Sequence, residues 1–203
     1  MKTYPSIPYP DSRVIDEYCY AFYKYDGSNL RFEWSKKQGW YKFGTRTRLF
    51  DRTDPDFGSA VDIFLNGLGE GIDKVFRSNK EYKNSDRAIV FAEFFGASSF
   101  AGQHVASEPK ELVLFDVNVH KKGILDPKEF IADFGHLKIA ELVYQGPFSE
   151  VFIEEVKEGK LPLVEGVIAK GGSGHNLWFR KVKTAAYKEK LKEFFKGDWE
   201  KYW

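Results

Sequence analysis

Apolar residues recur at helical spacing over residues 61–76, and this pattern predicts one helix in that part of the chain. Before it, three aromatic-rich segments are separated by turn residues, which predicts strands over residues 18–26, 30–34 and 40–46. The chain therefore begins with a run of predicted strands and continues with a helix.

Strand and helix patterns are mixed through the rest of the chain. Asp126, Pro127 and Glu129 have the residue types of a cap, a first turn and a capping-box acid, so they predict a short helix. Further strands are predicted over residues 88–95, 111–119, 164–170 and 177–183, and a further helix over residues 149–157. A terminal amphipathic helix is predicted with these side chains on one side: Tyr187, Leu191, Phe194, Phe195 and Trp199. This order predicts an α+β fold with largely antiparallel sheets and flanking helices.

The composition favours a folded protein of the cell interior. The chain has 203 residues, of which 42% are hydrophobic and 17% aromatic, enough for a sizeable core. Its single cysteine, Cys19, cannot form an internal disulfide, which fits a reducing compartment. No apolar run has the form of a secretory signal or the length of a membrane span, so we expect a soluble, cytoplasmic protein with no membrane partner.

Charge is distributed unevenly along the chain. The net charge is +1, but residues 161–203 hold nine Lys/Arg and five Asp/Glu, a local balance of 9 − 5 = +4. A basic segment of this kind suits contact with phosphate, although a solvated helix face has the same composition.

Residues 24–29 have the sequence KYDGSN and form the first candidate motif. Lys24 and Asp26 lie two positions apart in a predicted strand, so their side chains point to the same face. Gly27 then permits a tight turn or the close approach of a ligand. A lysine amine beside a phosphate-sized gap can act as a nucleophile once it is neutral, and nearby cations or a metal would lower its pKa. An ordinary hairpin with an exposed lysine would have the same pattern.

Two acids lie in apolar strand patterns, where a carboxylate is costly to bury without a partner. Glu93 therefore needs a polar neighbour, which could be a sugar hydroxyl, a hydrated metal or a structural arginine. Glu165 precedes Gly166 at the start of an apolar strand and could hold magnesium, which keeps most of its water, or could lie at a plain strand edge.

Lys181 and Lys183 lie on one face of the last predicted strand. Two ammonium groups on one face repel each other unless an anion lies between them. A triphosphate would satisfy both, and a solvated basic strand is the alternative.

Taken in order, these motifs resemble those of the covalent nucleotidyltransferase superfamily of DNA ligases, RNA ligases and mRNA capping enzymes. Residues 24–27 match its K-x-D-G pattern, residues 91–96 and 112–117 resemble its motifs III and IIIa, and residues 165–168 and 181–183 match E-G-hydrophobic-hydrophobic and K-hydrophobic-K. The resemblance implies an ATP-grasp-like nucleotidyltransferase (adenylation) domain of the ligase type over residues 1–184. A C-terminal amphipathic helix would follow over residues 185–203, with no OB-fold domain.

Within the superfamily, two details favour an ATP-dependent RNA ligase similar to RNA ligase 2. The first motif continues as Gly27-Ser28-Asn29, and residues 43–48 resemble an arginine-bearing strand of that group. Arg31 follows the motif I glycine closely, as an arginine does in DNA ligases, and so keeps a DNA ligase open. A GTP-using capping enzyme and a non-catalytic nucleotide- or nucleic-acid-binding domain are further alternatives.

The resemblance implies a catalytic role for three lysines. Lys24 would attack the α-phosphorus of ATP and carry AMP, while Lys181 and Lys183 would stabilise charge on that phosphate. The AMP would pass to the 5′-phosphate of an RNA end, possibly in a nicked duplex, and a 3′-hydroxyl would then seal the strand. A partner protein could supply binding of the ends, because only about 20 residues follow Lys183, too few for another domain.

The remaining residues implied for the site would bind the nucleotide. They are Tyr23, Asp26, Gly27, Asn29, Arg46, Glu93, Phe115 and Glu165. Phe115 would stack on the adenine, Arg46 and Glu93 would hold the ribose, and Asn29 would lie near the sugar or phosphate of the acceptor step. Glu165 would also position Mg²⁺.

Overall fold

The structure is a computed structural model that describes residues 3–97 and 105–203. Its strands are β1 (Tyr18–Lys24), β2 (Ser28–Ser35), β3 (Gly39–Gly44), β4 (Leu49–Phe50), β5 (Arg87–Phe95), β6 (Glu111–Val119), β7 (Gly123–Ile124), β8 (Leu142–Pro147), β9 (Gly166–Gly171) and β10 (Trp178–Lys183). Its α-helices are α1 (Gly58–Phe64), α2 (Glu70–Ser78), α3 (Pro127–Phe134), α4 (Glu150–Lys157) and α5 (Ala185–Phe195). In the described part, no helix is long and apolar enough to cross a membrane.

The strands form two sheets, one in the order β10-β9-β1-β8 and one in the order β4-β3-β2-β5-β6-β7. Neighbouring strands within both sheets pair antiparallel. The predicted α+β fold with antiparallel sheets is therefore confirmed. β8 is not among the predicted strands, because Gly146 and Pro147 in its last positions are turn residues that conceal its pattern.

The helix predicted over residues 61–76 is present but is not regular throughout. It begins at Gly58, and a π-helical turn over Leu65–Gly69 separates α1 from α2. The indole of Trp40 donates a hydrogen bond of 2.9 Å to the main-chain oxygen of Gly69, which stabilises the end of this irregular turn. Apolar spacing alone does not reveal one wide turn inside a helix.

Two apolar clusters hold the sheets to their helices. The larger one joins the six-stranded sheet to α1, α2 and α3, and in it the rings of Phe32 and Phe64 stack with centroids 3.8 Å apart. The smaller one packs α4 against the four-stranded sheet, where Phe148 and Val156 are fully buried. Each sheet therefore has its own covering helices.

The terminal helix packs through a narrower face than the sequence predicts. Tyr187 and Leu191 are buried, whereas Phe194 is 58% exposed, so its predicted place on the packed side is wrong. The helix ends at Phe195, and Trp199 belongs to the 3-10 turn that follows. Phe194 lies in the last turn of the helix, where its ring contacts that of Phe195 at 4.8 Å.

Gly27 lies where the chain passes from β1 in one sheet to β2 in the other. A Cβ atom at this position would lie 2.4 Å from the main-chain oxygen of Phe94 on β5. The sequence allowed Gly27 to be a place where a ligand approaches the backbone closely. In the structure, the backbone of β5 makes this close approach. A side chain here would push the two sheets apart at their junction.

We expect Gly27→Ala to lower the free energy of unfolding by about 1–3 kcal/mol, since the added methyl group overlaps backbone rather than a flexible side chain. Urea denaturation of the variant and the wild type measures this difference. The matched control is Gly67→Ala, where a Cβ meets nothing within 4 Å in a helical turn and should be neutral or slightly stabilising. Equal stability of Gly27→Ala and the wild type would contradict the prediction.

Candidate active site

A cavity of about 540 Å³ lies between residues of the two sheets. All the residues that the sequence predicts for the site line this one cavity: Tyr23, Lys24, Asp26, Gly27, Asn29, Arg46, Glu93, Phe115, Glu165, Lys181 and Lys183. Residues up to 160 positions apart in the chain thus converge on one place (183 − 23 = 160). Their individual roles remain predictions.

Strand register explains why three of the motifs meet. Gly166 is opposite Lys24 on β1 and opposite Lys183 on β10, so all three lie in one row across the sheet. Gly166 has φ = +148°, and a Cβ there would lie 2.0 Å from the main-chain oxygen of Val182. Glycine is therefore required at this position, and the preceding Glu165 is brought between the two lysines.

Glu165 joins two of the predicted catalytic lysines. Its Oε1 atom lies 2.8 Å from Nζ of Lys24 and 3.1 Å from Nζ of Lys183. The carboxylate is 3% exposed, and the Lys24 side chain is 23% exposed. A buried carboxylate needs such partners, because its own desolvation is costly.

The charge state of Lys24 differs from the sequence-based expectation. Burial alone would lower its pKa, but the carboxylates of Glu165, Glu93 and Asp26 together hold the pKa of Lys24 above its ordinary value. The net shift is therefore opposite to the lowering expected from nearby cations or a metal, because the acidic neighbours outweigh burial. In this state the amine is protonated and cannot act as a nucleophile.

The two lysines of β10 show the opposite shift. Burial lowers the pKa of Lys181, and the nearby ammonium groups of Lys183 and Lys24 lower it further. Burial also lowers the pKa of Lys183, against the attraction of Glu165. An additional anion between these amines would favour their charged forms, as the sequence pattern suggests for a phosphate.

Glu93 lies on β5 directly opposite Asn29 of β2. Burial raises the pKa of Glu93 to about 8, with Glu165 and Asp26 contributing in the same direction and Lys24 and Arg46 opposing them. Near neutral pH this group is largely a neutral carboxylic acid, which can donate a hydrogen bond as well as accept one. The apolar strand around it is the physical cause of the shift.

A buried polar network lies behind Phe115, and most of it was not foreseen from the sequence. Nζ of Lys170 donates to the main-chain oxygen of Phe115 at 2.6 Å and pairs with Asp116 at 2.9 Å. The hydroxyl of Tyr4 donates to the other oxygen of Asp116, and the Tyr4 ring meets the Phe115 ring edge-on at 5.0 Å. Opposite charges in two apolar strands were a usable signal for Asp116 and Lys170, whereas Tyr4 lies in a segment without any pattern.

The two candidate arginines have different positions. The third strand was predicted to extend to Arg46, but β3 ends at Gly44. Arg46 therefore lies in the turn after β3, and it lines the cavity. Arg31 is 3% exposed, donates to the main-chain oxygen of Thr45 at 2.7 Å and faces Glu33. Arg31 therefore supports the turn that carries Arg46 and is not among the residues that line the cavity.

The C-terminal region also contributes to the cavity. The hydroxyl of Tyr187 on α5 donates to Oδ1 of Asp26 at 3.1 Å, so the helix is tied to the first motif. Tyr202 and Trp203 line the cavity as well. From the sequence, Tyr187 is predicted only as a packing residue, since its helical spacing explains it without a polar partner.

The cavity has few protein ligands for a metal ion. Among the residues that the structure describes, no three His, Cys, Asp or Glu side chains form a group that could hold one. Glu165 offers a single carboxylate, which fits an ion that is otherwise bound by water and phosphate.

Comparison with known proteins identifies similar chains. A mutant of the Naegleria gruberi RNA ligase, solved with AMP and manganese, is 14% identical with a TM-score of 0.68 over 94% of this chain and 58% of its own. An archaeal ATP-dependent RNA ligase is 15% identical with a TM-score of 0.67 over 96% of this chain and 52% of its own. This chain thus spans a little over half the length of these proteins. No curated protein matches it.

At such low identity the two structures show only that this chain shares their fold. The profile of the RNA ligase family matches residues 17–189, which is most of the chain. The chain therefore belongs to the RNA ligase family.

The raised pKa of Glu93 predicts a pH dependence of stability. Between pH about 4.5, its ordinary value, and about 8, the folded state holds a proton on Glu93 that the unfolded state has released. The free energy of unfolding should therefore fall with rising pH across this window, by about 1–3 kcal/mol relative to Glu93→Gln, which has no such proton.

Urea denaturation of both proteins at several pH values measures this difference. Glu154→Gln, at an exposed ion pair with Lys157, serves as the control and should follow the wild type at every pH. A constant difference between wild type and Glu93→Gln from pH about 5 to about 8 would show that Glu93 does not titrate as described.

Proposed function

We propose that this chain is an ATP-dependent RNA ligase that carries AMP on Lys24, transfers it to a 5′-phosphate and seals that phosphate to a 3′-hydroxyl. The observation that supports this most is the contact of Lys24 and Lys183 with one buried oxygen of Glu165. It puts a lysine amine and a phosphate-binding cation side by side in one cavity, with Lys181 lining the same space.

In the first step, Nζ of Lys24 attacks the α-phosphorus of ATP. A nitrogen–phosphorus bond forms, the bond to the bridging oxygen breaks, and pyrophosphate leaves. The amine must lose a proton for this attack, and Glu165, Glu93 and Asp26 oppose that loss in the nucleotide-free cavity. Lys181 and Lys183 would stabilise the charge that develops on the α-phosphate oxygens.

Glu165 is the residue that would hold a divalent ion, Mg²⁺ in our proposal. The ion would supply positive charge beside the carboxylate, which weakens the hold of Glu165 on Lys24 and lowers the pKa of the amine. One carboxylate suffices, because Mg²⁺ is commonly bound by one or two carboxylates together with water and substrate phosphates.

The other lining residues would bind the nucleoside. Phe115 would stack on adenine, held from behind by the bond between its main-chain oxygen and Lys170. Glu93 as a neutral acid and Arg46 would bind the ribose hydroxyls. Tyr23 would border the same space, since its hydroxyl accepts from the main-chain nitrogen of Val164.

In the later steps, an oxygen of the RNA 5′-phosphate attacks the phosphorus of lysyl-N-AMP and frees Lys24. The 3′-hydroxyl then attacks the activated 5′-phosphate, a phosphodiester bond forms, and AMP leaves. The substrates would be RNA ends, free or in a nicked duplex, with Asn29 near the acceptor step. We propose residues 1–184 as the catalytic domain and residues 185–203 as a helical extension, with a partner protein supplying further contacts to the ends.

Incubation with α-labelled ATP and magnesium should label the protein with one AMP, as seen in the mass of the intact chain. Lys24→Ala should abolish the label, and so should Lys24→Arg, which keeps the charge beside Glu165 but cannot be deprotonated. Lys160→Ala, at an exposed ion pair with Glu158, is the control and should label fully. Persistent labelling of Lys24→Ala would remove Lys24 from its proposed role.

The choice of nucleotide and polymer is tested separately. ATP should label the protein well and GTP should not, and 5′-phosphorylated RNA ends should be joined in preference to nicked DNA. Equal joining of nicked DNA would favour the DNA ligase alternative instead.

A further inference from the structure

Residues 196–203 turn back onto the cavity after α5 ends. Lys196 has φ = +49°, a left-handed conformation that reverses the chain, and a 3-10 turn over Lys196–Lys201 follows. The next two residues, Tyr202 and Trp203, line the cavity. The end of the described chain thus lies at the site and not in solvent.

Main-chain oxygens of this segment bind the two lysines of β10. Nζ of Lys183 donates to the main-chain oxygen of Tyr202 at 3.0 Å, and Nζ of Lys181 donates to that of Trp203 at 3.3 Å. These are the amines whose arrangement on one face suggests a bound anion. The oxygens of the segment therefore occupy the acceptor positions around these two donors that phosphate oxygens would otherwise take.

Ring contacts hold the segment in place. Tyr202 stacks on Phe195 with centroids 3.9 Å apart, and Trp203 stacks near Tyr9 at 6.0 Å. The ammonium group of Lys188 lies over the Trp203 ring at 5.3 Å. Tyr202 is 38% exposed and neither Tyr202 nor Trp203 belongs to the two apolar clusters, so the segment can detach without disturbing the core.

We propose that residues 202 and 203 form an autoinhibitory cap over the phosphate-binding lysines, and that the polyphosphate of ATP must displace this cap to bind. The proposal rests on the proposed binding of phosphate by Lys181 and Lys183. Phosphate oxygens carry charge and bind ammonium groups more strongly than the neutral carbonyl of Tyr202 does, so a nucleotide can compete. The apparent affinity for ATP is then reduced by the fraction of molecules in which the cap is docked.

Two substitutions open the cap without changing the lysines. Trp203→Ala removes the indole that contacts Tyr9, Lys188 and also Lys183, so it changes the surroundings of one of these lysines and Lys196→Pro is the decisive variant. Lys196→Pro fixes φ near −65° and removes the bond from the main-chain nitrogen of Lys196 to Lys192, so the reversal cannot form. Both should bind α,β-methylene-ATP, which cannot transfer AMP, about three- to tenfold more tightly than the wild type in calorimetry with magnesium.

Two controls retain the cap. Phe194→Ala alters an exposed ring of α5, and Lys196→Gly keeps the left-handed conformation, so both should bind the analogue as the wild type does. Thermal unfolding shows whether each variant is folded. If Trp203→Ala is not folded, the binding of the analogue by Lys196→Pro alone tests the proposal.

Unchanged or weaker binding of the analogue by folded Lys196→Pro overturns the cap. The readout is independent of labelling by AMP. If Lys196→Pro binds the analogue more tightly but ATP does not label the protein, the cap is supported and the proposed ligase function is refuted. If ATP labels the protein but Lys196→Pro binds the analogue as the wild type does, the ligase function is supported and the cap is refuted.

Discussion

One buried oxygen, Oε1 of Glu165, shares its negative charge with two lysines, and the arrangement of the site depends on it. The sharing follows from antiparallel register, which aligns Lys24 and Lys183 on either side of Gly166. The glycine lets the backbones approach closely enough for the preceding residue, Glu165, to reach both amines. Backbone geometry thus sets the electrostatics, because moving any one of the three strands would leave a buried charge without a partner.

The lysines of the cavity have pKa values shifted in opposite directions. The carboxylates of Glu165 and Asp26 keep the amine of Lys24 protonated, while burial and the nearby ammonium groups weaken the proton affinity of Lys181 and Lys183. An anion is therefore bound most favourably beside Lys181 and Lys183, whereas the loss of a proton is least favourable at Lys24. A ligand that brings phosphate and a divalent cation together would correct both imbalances at once.

Sequence patterns predicted the cavity lining best where a residue type has a single physical explanation at its position, such as an acid within an apolar strand. The apolar strands, the close pairing of Lys181 with Lys183 and the isolated acids Glu93 and Glu165 all predicted the cavity lining. Strand register could not be predicted, since each pattern describes a single segment. The sign of the pKa shift of Lys24 was missed for the same reason, because it depends on which charges the fold brings together.

Aromatic residues were the harder class to interpret. Tyr187 has the spacing of a core residue and is buried, yet its hydroxyl also binds Asp26. Helical spacing predicts burial but carries no information about the polar end of a tyrosine. Phe194 shows the opposite case, since its spacing predicts packing and its ring is exposed.

The ion pair of Lys170 and Asp116 joins β9 of one sheet to β6 of the other, directly behind Phe115. Separating the sheets would break this ion pair and leave two buried charges without partners, which is strongly unfavourable. The walls of the cleft therefore behave as one rigid block on this side. Any adjustment of the cleft to a ligand would then come from its rim, which is formed by the turn carrying Arg46 and by the chain that returns after α5.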